Sequence, residues 1–369
     1  MHRVLLLGAG KIGRMIAKLL MESGDYDVLV ADCEQSALTR IEQQSNVATA
    51  QVDATKRDDL QAVLQGRDSV ISALSFRFNP LIAEIAVAAG VNYFDLTEDI
   101  ETTRKIRGIV ESASPKSIVM PQCGLAPGFI SIVANQLTHQ FDKLDTVHMR
   151  VGALPQFPSN AMKYNLTWST DGLINEYCNP CEAIHDHRQI EVLPLEGLQT
   201  FSLNGVRYEA FNTSGGLGTL CESLSGKVRE LNYKTIRYVG HRDLMAFLVN
   251  ELQLNNRREI LKDILETSTP ITFQDVVVIF CNVTGWRNGQ LVQISDARKI
   301  YSILSEGEPW SAIQITTASA VCAVVDLHVA GELPQQGFVR QEDVDYHTFL
   351  NNRFGKYYAS EGRAGDDSA

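Results

Sequence analysis

The chain has little of what would mark it for a membrane, a nucleic acid or an oxidising compartment. No uninterrupted apolar run approaches the ~20 residues needed to span a bilayer. The first, Val4-Leu-Leu-Leu, stops at Gly8 and is too short for a signal peptide. Basic residues are outnumbered, 33 Lys and Arg against 44 Asp and Glu, and the net charge of −11 argues against nucleic acid or an anionic membrane as a partner. The seven cysteines are an odd, scattered set, expected as reduced thiols of a cytoplasmic protein. Internal repeats and low-complexity segments are lacking as well. What is there is 369 residues, 44% hydrophobic and 21% charged, a globular composition in a chain too long for one ordinary core, so two domains are expected.

The first 125 residues alternate short apolar runs with helical patterns. Arg3-Val-Leu-Leu-Leu, Asp27-Val-Leu-Val-Ala, Val47 to Val52, Ser69-Val-Ile-Ser-Ala, Asn92-Tyr-Phe-Asp-Leu and Ser117-Ile-Val-Met read as strands. Helices are expected at about 11–22, 34–44, 57–64, 79–89 and 99–113. That alternation predicts an α/β fold, a Rossmann doubly wound parallel sheet covered on both faces. After about residue 140 the strands lengthen (146–151, 191–195, 236–239, 273–280) between loops rich in Pro, Gly and Asn, which predicts a second, α+β domain. An apolar helix returns from Ala318 to Gly331. The expected division is therefore 1–130 with 316–360 for the Rossmann domain and 131–315 for the substrate domain, with a polar tail at 361–369 that frays.

Gly8-Ala-Gly10-Lys11-Ile12-Gly13 follows the first strand and opens the first helix. This is the setting in which the first glycine permits the turn, the second admits a pyrophosphate and the third lets helix pack on strand. Asp32 ends the second strand, 19 residues past Gly13, where a carboxylate accepts from the adenosine ribose hydroxyls. It repels a 2′-phosphate, and Cys33-Glu34 offers no arginine to hold one, so NAD is expected rather than NADP. Asp53, and Ser72-Ala73-Leu74, sit at strand ends where adenine and nicotinamide lie in such folds.

Two other stretches invite chemistry. Cys178-Asn-Pro-Cys181-Glu-Ala-Ile-His185-Asp-His187 has metal-like residues, but all four ligands crowd within ten residues, and 184–190 alternates like a strand with both histidines on one face. A solvated strand edge is expected, and no metal. Pro121-Gln-Cys123-Gly124-Leu-Ala126-Pro-Gly128-Phe129 turns from a strand into a helix. Cys123 has no histidine nearby in sequence to activate it, and the stretch reads as a pocket wall at the carboxyl edge of the sheet.

With the glycine fingerprint, Val70-Ile-Ser-Ala-Leu, Gly124-Leu-Ala-Pro-Gly128, Val151-Gly-Ala-Leu-Pro155 and Tyr164-Asn-Leu-Thr-Trp-Ser-Thr-Asp-Gly-Leu173, the chain resembles the saccharopine dehydrogenase-like family over nearly its whole length. Phe211-Asn-Thr-Ser-Gly-Gly216 and Tyr233-Lys-Thr-Ile-Arg-Tyr-Val-Gly-His241 look most like the lysine 6-dehydrogenase branch. The turn of saccharopine reductases usually reads G-L-D-P-G, and Ala126 replaces that aspartate here. They also tend to carry an N-R-D-S-type segment with a substrate-binding arginine where Phe211-Asn-Thr-Ser stands. The resemblance implies hydride transfer from a C–N carbon of a small amino-acid substrate to NAD, and a homodimer or higher homo-oligomer formed through the sheet of the second domain.

That chemistry needs a proton acceptor and groups to grip the substrate. Asp95 and His241 are the candidate catalytic residues, although Asp95 could instead cap the following helix and His241 could merely neighbour a helix start. Thr97, Glu98, Cys123, Gly124, Ala126, Thr213 and Arg237 are the substrate-binding candidates. Arg237 could clamp a carboxylate or serve a buried ion pair, and Thr213 to Gly216 is first of all a turn. Three functions follow: oxidation of the lysine ε-amine, cleavage of the secondary amine of saccharopine, or NAD-binding regulation without turnover.

Overall fold

Strands that bury both faces have no polar side to alternate with, and of the first six here the inner ones run mostly apolar while the edge strand Ala48–Gln51 does not. In the computed structural model, which describes residues 1–44, 47–305 and 307–359, the six are β1 (His2–Leu7), β2 (Tyr26–Asp32), β3 (Ala48–Gln51), β4 (Ser69–Ser72), β5 (Asn92–Asp95) and β6 (Ile118–Met120). Val4 and Leu6 of β1 enter one core, and Leu5 and Leu7 the other. The sheet is parallel, in the order β6-β5-β4-β1-β2-β3, and Gly337–Phe338 extends it beside β6. Crossovers run through α1 (Lys11–Ser23), α2 (Gln35–Gln44), α3 (Arg57–Leu64), α4 (Asn79–Ala89) and α5 (Ile100–Ala113). Strand order reverses between β1 and β4, so a crevice opens at their carboxyl ends. The polar tail 361–369 lies outside the described residues.

Helix α6 (Phe129–Thr138) leads into β7 (Lys143–Pro155), and then come α7 (Thr170–Cys178), β8 (Cys181–His185), β9 (Arg188–Val192), β10 (Gln199–Leu203), β11 (Val206–Asn212), β12 (Glu230–Tyr238), β13 (Asp275–Arg287) and β14 (Gln290–Tyr301). These strands form a mixed sheet in the order β10-β11-β12-β7-β13-β14, with β8 attached to β12 and β9 to β8. Its inner face, with Val147, Met149, Val277 and Ile279, joins one core with α6 and the helix Ala312–Val329. The sheet curls: Phe201 of β10 stacks on Phe280 of β13 at 6.0 Å, although four strand spacings of about 4.8 Å would part them in a flat sheet.

Three hairpins of this sheet share one device. The turn residues Asn204-Gly205, Asn288-Gly289 and Asp186-His187 all have positive φ between directly paired strand ends, the two-residue turn that Asn-Gly favours. The third of them lies at a solvated strand edge, as expected, but corrects the expectation that both histidines share one face. His185 ends β8 and His187 lies in the turn, so the two histidines do not share one strand face. Among the described residues no cluster of His, Cys, Asp or Glu is arranged for a metal.

Ala312–Val329 is apolar all round and long enough to cross a membrane by composition, yet 83% of it is buried inside the protein, as a core helix must be. Ser311 and Gln314 close a capping box at its start. Asp275 of β13 accepts from the Ala312 and Ile313 N–H groups. The helix lies against α1, and with Gly337–Phe338 it brings the late part of the chain back to the first sheet.

Candidate active site

The turn after β1 presents backbone outward. A Cβ on Gly8 (φ +106°) would lie 2.9 Å from the Ala73 carbonyl, and one on Gly13 would lie 1.9 Å from the Gly8 carbonyl oxygen, so the fold's own packing requires both glycines. Gly10 differs. Its φ of −72° suits any residue and nothing lies within 4 Å of where its Cβ would be. The space leaves room for a group from outside, and the N-terminus of α1, with no side-chain cap, offers such a group N–H donors and partial positive charge. A dinucleotide pyrophosphate fits this cradle.

Asp32 is fixed at the ribose position by the Ala9 N–H (2.7 Å) and the Glu34 N–H (2.9 Å), which leaves lone pairs for hydroxyl donors. Asp53 accepts from the Thr55 N–H and hydroxyl in the turn after β3. The Ser72 hydroxyl donates to Asn79 Oδ1 at 2.7 Å and is buried. Ala73 and Leu74 face the crevice. Lys11 and Ile12 open α1, and burial pulls the Lys11 ammonium below its usual range.

Where the ends of β4, β5 and β6 meet the second sheet, a cavity of about 370 Å³ opens. Ile12, Ala73, Leu74, Gly124 and Ala126 form the side nearest the dinucleotide cradle. Trp168, Glu176, Thr235 and Arg237 form the side contributed by the second domain, and Glu98 comes from the loop after β5. The turn at 121–129 shapes the floor through an Ala126-Pro127 cis bond and a Gly124–Gly128 bridge. A Cβ on Gly128 would sit 1.9 Å from the Gly124 carbonyl oxygen.

The charge in this cavity is buried. Burial pushes the Glu98 carboxyl up to about 7. Glu176 also rises to about 7, chiefly through burial, with Arg237 opposing and Glu98 adding to the shift. Arg237 is 2% exposed. Although burial alone would lower it, Tyr177, Tyr164 and Glu176 hold its guanidinium charged. Its Nε donates to the Tyr177 hydroxyl (2.8 Å) and its Nη1 to Thr235 Oγ1 (2.8 Å) and the Ile236 carbonyl (2.9 Å). Nη2 stands 3.8 Å from Glu176 Oε2, an ion pair too long for a hydrogen bond, and Glu176 Oε2 has no hydrogen-bond partner among the described residues. A buried charge in this state is costly unless a ligand completes it.

The sequence candidates divide on this frame. Ile12, Ala73, Leu74, Glu98, Gly124, Ala126 and Arg237 line the cavity. Asp95 does not line it: fully buried, it accepts from the Tyr93 hydroxyl and from the Thr97 and Gln122 N–H groups, while Asp99 caps α5. Thr97 lies buried in the same loop. Cys123 faces away, its thiol donating to the Met120 carbonyl and accepting from Gln341 Nε2, with burial raising it well above the usual thiol range. His241 stands behind the cavity wall. Its Nδ1 lies 2.8 Å from the Met162 carbonyl, which can only accept, so Nε2 is the acceptor for the Tyr177 hydroxyl at 3.0 Å. Burial and Arg237 pull it down to about 3, so the ring is neutral and helps fix Tyr177, and through it Arg237. Thr213 is buried with an unpartnered hydroxyl, in a turn whose Gly215 leaves no room for a Cβ beside the Glu98 carbonyl oxygen (2.4 Å).

Glu176 and Trp168 were not among the candidates. An acid between Leu173, Ile174 and Tyr177 on a buried helix is the signal that could have found Glu176.

Two family descriptions match the chain: "Saccharopine dehydrogenase NADP binding domain" over residues 4–117 and "Saccharopine dehydrogenase C-terminal domain" over residues 124–357. The chain is 21% identical over 197 residues to the mitochondrial alpha-aminoadipic semialdehyde synthase of Rattus norvegicus, covering 52% of this chain and 21% of that protein. It is 25% identical over 212 residues to "Saccharopine dehydrogenase [NADP(+), L-glutamate-forming]" of Saccharomyces cerevisiae, covering 53% and 44%. The matches thus span less than half the length of these relatives. The structure of the apo L-Glu-forming saccharopine dehydrogenase from Saccharomyces cerevisiae superposes with a TM-score of 0.76 at 17% identity, covering 93% of this chain and 94% of that one, which establishes a common fold. A glycine turn built for a dinucleotide, a second mixed sheet closing over it and family matches across both parts lead to one conclusion: the chain belongs to the saccharopine dehydrogenase family.

Proposed function

We propose that the protein is an NAD-dependent dehydrogenase that oxidises the ε-amine of L-lysine, or of a closely similar diamino monocarboxylic acid. The observation that carries this reading is the charge lining the cavity, where a buried carboxylate, Glu176, and a half-buried one, Glu98, accompany one buried guanidinium, Arg237. Saccharopine brings three carboxylates and two amines, and its recognition needs paired cations. A substrate with two amines and one carboxylate complements this cavity better. Ala126, on the cavity wall, removes one further polar contact from the turn.

NAD is the proposed cofactor because Asp32 and Glu34 bring negative charge to the ribose edge. When bound, it accepts the hydride. Arg237 holds the substrate carboxylate, and Trp168 and the turn at 121–129 close the cavity over the reacting carbon. A homo-oligomer in the cytoplasm is the proposed working form, on the strength of the sequence resemblance and composition. Saccharopine oxidation is the second reading, favoured by the family match and by the names of the yeast relatives. Purified protein with NAD and either lysine or saccharopine, followed by NADH absorbance, separates the two. NADH from lysine is expected, and NADH from saccharopine alone overturns the proposal.

A further inference from the structure

Glu98 and Glu176 reach the cavity from different segments of the chain. Glu98 lies past the carboxyl end of β5, a strand of the first sheet, whereas Glu176 belongs to α7 and neighbours Arg237. A Cβ on Gly172 would come within 3.1 Å of Glu98 Oε1, so the Glu98 carboxylate rests on the face of α7 one turn before Glu176, where i and i+4 positions stand about 5–6 Å apart. Beyond Glu176 the wall holds Arg237, whose Nη2 stands 3.8 Å from Glu176 Oε2. The polar groups therefore follow one another along the wall, Glu98 against the start of α7 and then Glu176 with Arg237.

We propose that Glu98 takes the proton from the reacting amine, while Glu176 and Arg237 form a separate subsite for the amino-acid head, ammonium on Glu176 and carboxylate on Arg237 Nη2. The assignment rests on the amine-dehydrogenase reading above. The step balances as follows. An N–H bond of the substrate ammonium breaks and its proton passes to the Glu98 carboxylate. The freed nitrogen pair forms C=N as the C–H pair leaves, as hydride, to the oxidised nicotinamide.

The surroundings suit that role. Asp95 and Asp99 on the same segment and Glu176 on α7 are acids, Asp171 on α7 is paired with Lys262 at 2.9 Å and lies 3.8 Å from Arg77, and Arg237 on β12 is the cation facing Glu176. The field draws in an ammonium, and burial lifts Glu98 to about 7, where a carboxylate can accept and return a proton near neutrality.

The test uses wild type, E98Q, E98D and E176Q with lysine and with 6-aminohexanoate, which keeps the reacting amine and the carboxylate but lacks the α-ammonium. E98Q lowers kcat by about 100-fold or more on both substrates and removes the acid limb of the kcat/KM pH profile, and E98D restores that limb. E176Q raises KM for lysine about tenfold while leaving KM for 6-aminohexanoate within about twofold. An E98Q enzyme that keeps the limb and nearly full kcat, or an E176Q effect equal on both substrates, overturns the assignment. If wild type oxidises saccharopine alone, the substrate reading fails and the Glu98 half is judged by the same limb with saccharopine. A wild type that oxidises neither overturns both.

Discussion

The cofactor cradle and the amine cavity lie side by side yet are built on opposite principles. The cradle is backbone: glycines that keep side chains out, a helix start without a cap, and one carboxylate held by N–H groups. The cavity is side chain: two acids and a guanidinium removed from water and completed by distant residues. A backbone site fails by steric intrusion and hardly responds to pH. A site of buried charge fails when one partner is removed and titrates with its surroundings.

The sharpest break in that contrast is Arg237→Met. It leaves Glu176 buried with no counter-charge and the Tyr177 hydroxyl without its donor. Removing one partner of a buried pair costs about 3–5 kcal/mol, so urea unfolding should show a loss of that order together with loss of amine turnover. A destabilisation below about 1 kcal/mol would mean that the guanidinium is not integral to the cavity.

The same division decided what could be read in the sequence. The glycine fingerprint and Asp32 lie within the first 32 residues, and their spacing encodes the turn, the helix start and the ribose contact directly. The parallel strands announced themselves as short apolar runs. The cavity gave no such signal, because Glu98, Gly172, Glu176 and Arg237 meet only after a sheet and a helix have brought separate segments together. Arg237 and Glu98 were legible as candidates. Glu176 was hidden in an apolar helix, and Asp95, conspicuous at a strand end, turned out to brace the loop beneath. The Asn204-Gly205 and Asn288-Gly289 hairpins had a local signal, but of the strands they join only the start of β13, at 273–280, was legible, the others being too irregular in pattern.

Within the cradle, two neighbouring glycines should part company. Gly13→Ala drives a methyl into the Gly8 carbonyl oxygen and should cost about 3 kcal/mol, the upper part of the overpacking range. Gly10→Ala meets nothing within 4 Å and should change stability by less than about 0.5 kcal/mol, while weakening dinucleotide binding about tenfold or more. Melting curves and a dinucleotide titration on both variants read this out. Equal destabilisation by the two would remove the argument that Gly10 serves an outside group.

Stability against pH sharpens the cavity's side of the comparison. Glu98 and Glu176 are lifted from an ordinary 4.5 to about 7 in the folded chain, so the native state holds more protons than the unfolded one between those values. The stability this contributes is complete below about pH 4.5 and is lost as pH rises through about 7. Glu98→Gln should therefore raise stability at pH 8, by roughly 1–2 kcal/mol, with no gain at pH 4. The variant would be a better-folded protein with a weaker site, the usual exchange at functional positions. A melting temperature that rises equally at both pH values would place the effect outside this titration.

The smallest effect tests the one charge in the cradle. Asp32 is pinned by two backbone N–H donors, so its carboxylate cannot swing away from a ribose 2′-phosphate, and Glu34 adds negative charge two residues on. The matching family description and the yeast relative both carry NADP in their names, which makes cofactor choice the point where this chain can depart from them. Wild type should favour NAD, and Asp32→Ser should move the NAD-to-NADP ratio of kcat/KM about tenfold toward NADP, about 1.4 kcal/mol. The shift should be modest, because relieving repulsion does not supply the guanidinium that a 2′-phosphate needs. A wild type that prefers NADP would show that cations elsewhere along the crevice outweigh Asp32, and the cradle would then owe its selectivity to side chains after all.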